Sequence, residues 1–159
     1  MKVVTTSPAE TRALGARLGR LMAPGDIIAL MGGLGAGKTV LVQGIAAGLG
    51  LKGYITSPTY LIIKEHRGEI PLYHMDAYRL AGPEELEELG YEEYFFGRGV
   101  TAIEWADRIR ALLPPEYLRL DMGRVEDGGD EDRSLLFTPY GERYTILLEE
   151  LKHHVDLGP

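Results

Sequence analysis

The 159-residue sequence contains no cysteine. That excludes a disulfide scaffold, cysteine-ligated zinc, iron–sulfur clusters and thiol catalysis. Asparagine is also absent, glutamine occurs once, at Gln43, and arginine outnumbers lysine 12 to 5. Scarcity of thermolabile side chains is a compositional mark of proteins from hot-growing organisms. No apolar run approaches the roughly 20 residues of a membrane-spanning helix. No basic-then-apolar opening marks a secretory leader, so the expected location is the cytoplasm, away from membranes.

What is present suits an ordinary globular chain. Hydrophobic residues make up 45% and charged residues 26%, which argues against disorder. The length suits one domain over 1–159, with a loose tail expected over 153–159. The formal charge of −7 is unevenly spread. Residues 1–60 hold 6 basic and 2 acidic side chains, and residues 61–159 hold 11 and 22. The acidic remainder is ill suited to gripping nucleic acid unaided, and an anionic ligand is favoured in the first third.

The pattern predicts alternating strands and helices. Val3–Thr6 reads as a strand, and Ser7-Pro8 caps a helix over 8–22. Asp26–Met31 is a short, nearly all-apolar strand of the kind buried on both faces. Helical spacing runs from Thr39 to Leu49 and stops at Gly50. Tyr60–Glu65 and Glu69–Asp76 read as strands joined at Arg67-Gly68. A helix opens at Gly82-Pro83, Val100–Ile103 is another buried strand, and Trp105–Leu112 a helix stopped by Pro114-Pro115. Tyr117–Val125 and Arg133–Thr138 form a hairpin around the acidic tip 126–132, and a last helix covers 141–152. The expected class is α/β, P-loop NTPase-like: a mostly parallel central sheet flanked by helices, with added antiparallel hairpins.

Gly32-Gly33-Leu34-Gly35-Ala36-Gly37-Lys38-Thr39 fits the P-loop pattern, with a buried strand before it and a helix after. Glycines let successive N–H groups turn inward onto phosphate oxygens, and the following helix adds the positive end of its dipole. The expected nucleotide contacts are residues 32–40: Gly32, Gly33, Leu34, Gly35, Ala36, Gly37, Lys38, Thr39 and Val40. Lys38 would neutralise the β- and γ-phosphates, and the Thr39 hydroxyl would ligate Mg²⁺. A guanine-reading N-K-x-D segment is impossible without asparagine, and no D-x-x-G occurs, so ATP is the expected nucleotide. Such a site also needs an acid at a strand end. Glu104 and Asp76 both qualify, and either could orient the attacking water.

These segments together resemble the TsaE (YjeE) family of small bacterial P-loop ATPases. The resemblance rests on the P-loop with Val42-Gln43-Gly44, then Ser57-Pro58-Thr59-Tyr60, His74-Met75-Asp76-Ala77-Tyr78-Arg79, and Ile103-Glu104-Trp105, over about residues 7–121. It implies an Mg²⁺-dependent, partner-dependent ATPase that supports N6-threonylcarbamoyladenosine modification of tRNA. Its partners would be the threonylcarbamoyl transferase and a related subunit, with tRNA met only through that complex. It also implies a Walker-B-type metal ligand at Glu104, a functional carboxylate at Asp76 and, in a segment similar to a GTPase switch I, a hydroxyl at Thr59 that could contact γ-phosphate or Mg²⁺. One departure stands out: the family usually has Asp where this chain has Gly33. Trp105, the only tryptophan, reads either as packing or as a partner or nucleotide contact. His74 is expected to pack or hydrogen-bond within its strand; Arg79 and Arg108 could face phosphate, but surface ion pairs are the expected fate. The rival readings are a small-molecule kinase on the same fold and an ATP-sensing module with negligible turnover.

Overall fold

The computed structural model describes residues 1–53 and 63–156. Among these, seven strands form one sheet. They are β1 (Lys2–Thr5), β2 (Ile27–Met31), β3 (Ile63–His66), β4 (Leu72–Asp76), β5 (Val100–Glu104), β6 (Tyr117–Arg124) and β7 (Arg133–Tyr140), in the spatial order β1-β7-β6-β2-β5-β4-β3. The middle four, β6, β2, β5 and β4, are parallel. The antiparallel pairs β3–β4, β6–β7 and β7–β1 extend both edges. The expected α/β architecture is therefore present.

Strand periodicity divides the core. Ile28 and Leu30 of β2 join one apolar cluster with helices α1 (Pro8–Leu21), α2 (Lys38–Gly48) and α5 (Glu142–Asp156). Ile27, Ala29 and Met31 face the other way. They meet α3 (Pro83–Glu88), α4 (Tyr91–Phe95) and a 3-10 helix (Ala106–Leu112) through Leu86, Phe95 and Ile109. A strand buried on both faces has to be apolar throughout, and β2 is.

Helices α1 and α2 touch through glycine. A Cβ on Gly44 would lie 2.2 Å from the Arg12 carbonyl oxygen, and one on Gly15 would lie 2.4 Å from that of Leu41. The two backbones approach too closely for any side chain between them, which locks α2, and the P-loop that feeds it, against α1.

Several boundaries differ from expectation. Strand β4 starts at Leu72, not Glu69, because Pro71 has no N–H for a ladder; its carbonyl accepts from Val100 N instead. Gly90, left-handed at φ 70°, divides what reads as one helix into α3 and α4. The segment after Glu104 is 3-10 rather than α-helical, and Trp105 precedes it at φ 57°, ψ 40°. Strand β7 runs on through Pro139 to Tyr140; Pro139 lies past the end of β1, where no neighbouring strand needs its N–H. Helix α5 continues to Asp156, through the first part of the expected loose tail. Leu151 is buried and Val155, one turn on, packs against the same cluster, so the apolar stripe carries the helix further. Among the described residues no helix is long and apolar enough to cross a membrane.

Candidate functional site

Parallel α/β sheets place ligands beyond the carboxyl ends of their strands. Here β2, β4 and β5 end side by side. Met31 leads into the glycine-rich loop, Asp76 ends β4 and Glu104 ends β5, with Asp76 and Glu104 paired in register. They border a cavity of about 510 Å³, whose wall includes Thr39, Asp76, Arg79, Glu104, Trp105 and Arg133.

The loop has the conformation its glycines permit. Gly37 caps α2 in the left-handed region at φ 95°, where a side chain is strained. Gly33 is different. It has open space around a would-be Cβ and no positive φ. An aspartate would fit there, so the departure from the family's pattern is chemical rather than steric. Ala36 is buried in the core, and Leu34 is exposed at the loop tip.

Lys38 is the first residue of α2, and only 5% of it is exposed. Its ammonium donates to the carbonyl oxygens of Gly32 and, at 3.3 Å, Gly33. It also lies 3.7 Å from the centre of the Trp105 ring, a cation–π contact. Burial pushes its pKa below the ordinary lysine range, and the carboxylates of Glu104, Asp76 and Asp107 oppose that shift. The cation is thus held by weak neutral acceptors, an arrangement that an anion would improve.

Thr39 Oγ1 donates to both Glu104 oxygens, at 3.1 and 3.2 Å. Glu104 is buried, and its Oε2 also meets His74 Nε2. His74 is fully buried on β4, and among the described residues its Nδ1 has no hydrogen-bond partner. The expectation for His74 is packing or hydrogen bonding within its strand; it is buried, but its hydrogen-bond partner is on the neighbouring strand. Asp76 accepts from Tyr78 N at 2.9 Å. Burial raises its pKa, the Tyr78 N–H opposes that, and the Glu104 carboxylate adds to the rise.

Trp105 stands over the site in left-handed backbone, which is uncommon for a bulky residue. Its ring is clasped between Lys38 and Tyr78, whose centroid lies 4.8 Å away. Arg108 sits over the Tyr78 ring, 5.4 Å from its centroid. Arg79 lines the cavity. Neither arginine forms an ion pair among the described residues, unlike the expectation for both. The aromatic ring of Tyr78 takes that place for Arg108. Thr59 lies outside the described residues.

The donors facing the cavity are oxygens: one hydroxyl and two carboxylates. That set suits a hard cation such as Mg²⁺. Among the described residues no group of three or more His, Asp or Glu is arranged to hold a metal by itself. A cation here would need water or phosphate oxygens to complete its shell.

Two features escape a reading of local motifs. The contacts of the Tyr78 ring with Trp105 and Arg108 are tertiary and do not show in the segment that holds it. Arg133 belongs to the hairpin beyond the recognisable segments; its strand parity with Leu135 and Phe137 was the available signal.

Comparison with known proteins agrees with this geometry. The family model described as threonylcarbamoyl adenosine biosynthesis protein TsaE matches residues 5–134. A curated relative from Bacillus subtilis, named tRNA threonylcarbamoyladenosine biosynthesis protein TsaE, is 45% identical over 99% of this chain and 98% of its own length. A protein of the same name from Treponema pallidum is 40% identical over 82% of this chain and 97% of its own. The crystal structure of Bacillus subtilis YdiB superposes with a TM-score of 0.84 at 42% identity, covering 97% of this chain and 95% of that one.

Proposed function

The chain belongs to the TsaE family of threonylcarbamoyl adenosine biosynthesis proteins, and from that premise we propose that it is an Mg²⁺-dependent ATPase serving tRNA modification. The observation that carries this reading is the 3.1 Å approach of Thr39 on the P-loop helix to Glu104 at the end of β5. A P-loop hydroxyl and a strand-end acid meet where the phosphates of a bound nucleotide would lie.

Each residue then has a role. The loop amides and Lys38 bind and neutralise the phosphates. Thr39 and Glu104 hold Mg²⁺, which supplies charge neutralisation to the phosphates when bound. His74 fixes the Glu104 carboxylate from behind, as outer partners of metal ligands commonly do. Asp76, with its raised pKa, faces the same cavity and is placed to orient a water. Trp105 covers the lysine and limits water around it, with Tyr78 packed against the indole.

The names of the relatives support a role beside the enzymes that install threonylcarbamoyl on tRNA adenosine. The partners proposed are the transferase and its related subunit, with tRNA reached through them. The charge distribution supports this, because residues 61–159 carry twice as many acids as bases. The test is release of free phosphate from ATP·Mg²⁺, by the protein alone and with those two partners, with Glu104→Ala as control. A partner-stimulated rate that requires Glu104 is expected. A rate indifferent to the partners would leave a nucleotide sensor, and loss of ATP without free phosphate would indicate a kinase.

A further inference from the structure

Strands β6 and β7 send Leu118, Leu120 and Met122, and Leu135 and Phe137, into the cluster beneath α1 and α2. Side chains alternate across a strand, so the next positions on that face are Arg124 and Arg133. The apolar face becomes a pair of arginines where it reaches the P-loop. In the ladder the two are directly opposite each other. Like charges so placed repel.

Neither arginine forms an ion pair among the described residues. Arg133 donates only to the carbonyl oxygens of Asp130 and Asp132, at 2.7 and 2.9 Å. The acids of the hairpin tip do not neutralise it: Asp132 is turned to Gly129 N, and Glu131 shares a pocket wall with Arg133 without pairing. Both arginines approach the phosphate loop. The Arg133 stem lies 3.9 Å from where a Cβ on Gly37 would stand, and Arg124 Nη2 lies 3.5 Å from that of Gly35. Arg133 also lines both the main cavity and a small pocket bounded by Pro8, Thr11, Gly37 and Val40.

We infer that Arg133, assisted by Arg124, is a phosphate-binding residue of the nucleotide site. It serves the α-phosphate side, opposite the end that Lys38 serves. The P-loop backbone faces the α- and β-phosphates while its lysine reaches the β/γ end, and Arg133 lies along that backbone at Gly37 and Val40. A guanidinium fork matches phosphate oxygens, and an anion between the two arginines relieves their repulsion. This inference rests on the nucleotide-binding reading above.

The experiment is calorimetric titration of the full-length protein with ADP·Mg²⁺, using wild type, Lys38→Ala, Arg133→Gln, Arg133→Lys and Arg124→Gln, with melting temperatures taken with and without ADP. Arg133→Gln is expected to weaken ADP about tenfold or more, about 1.4 kcal/mol. Arg133→Lys restores part of that loss. Arg124→Gln, which removes no hydrogen bond, melts no lower than wild type without ADP and gains less from ADP. Wild-type affinity in Arg133→Gln, with Lys38→Ala still unable to bind, overturns the inference and leaves the nucleotide reading intact. If Arg133→Gln does not fold, wild-type affinity in both Arg133→Lys and Arg124→Gln overturns it equally. Absence of ADP binding by wild type would remove the nucleotide reading itself.

Discussion

At the carboxyl end of β2, β4 and β5 lies a cavity of about 510 Å³; beside the amino ends of β2 and β6 lies a larger one, about 610 Å³, bounded by Pro24, Phe95, Pro115 and Arg143. Size would choose the second. Chemistry chooses the first. At the amino end the buried carboxylate, Asp26, is closed within the protein. Asp26 takes a two-pronged contact from Arg143, Nε at 3.1 Å and Nη2 at 2.7 Å, and also accepts from Ala23 N. Arg143 further donates to the Leu21 carbonyl, and the Tyr144 hydroxyl accepts from Ile27 N. At the carboxyl end the partners are substitutes. Lys38 rests on loop carbonyls, Glu104 divides itself between a hydroxyl and a histidine, and Arg133 has only backbone oxygens. A structural polar cluster satisfies its own charges, whereas a binding site keeps them for the ligand.

Variants at the two ends should therefore fail in different ways. The largest effect is expected from Lys38→Ala, which should lower nucleotide affinity about a hundredfold or more, about 2.7 kcal/mol, without lowering the melting temperature. Isothermal titration and thermal melting together check this; a variant that still binds tightly would break the contrast. Asp26→Ala should do the reverse, costing about 2 kcal/mol of stability while leaving nucleotide affinity alone. That figure is below the usual cost of breaking a buried pair because Arg143, partly exposed, can turn to water, and chemical denaturation measures it. A third effect, confined to alkaline solution, concerns pH. Burial raises the Tyr144 pKa to about 12. The folded protein then holds this proton after the unfolded chain has released it, so the contribution is full below about pH 10 and is lost as pH rises towards 12. Tyr144→Phe should flatten that part of the stability profile; an unchanged profile would contradict the account.

Much of this was legible before the structure. The P-loop, the two-face burial of β2 and the strand-end positions of Asp76 and Glu104 follow from pattern and spacing, because a strand buried on both faces and a phosphate loop admit few residue types. Three features did not follow. The close approach of α1 and α2 depends on glycines 29 positions apart, Gly15 and Gly44, and nothing local pairs them. Trp105 reads as a helix start, yet its left-handed backbone is fixed by Lys38 and Tyr78 from other segments. Arg133 looks like one more charge beside an acidic hairpin, and only the β6–β7 register brings it to the loop. In each case the deciding contact is long-range.

The most direct test of the central claim is a crystal structure of the protein with ADP and Mg²⁺. The account predicts phosphates in the carboxyl-end cavity, Lys38 Nζ moved from the Gly32 and Gly33 carbonyls onto phosphate oxygen, Thr39 Oγ1 on the metal, and Asp26 and Arg143 still joined at the other end. Nucleotide lodged between Pro24 and Phe95, or phosphates bound while Lys38 stays on its carbonyls, would contradict it.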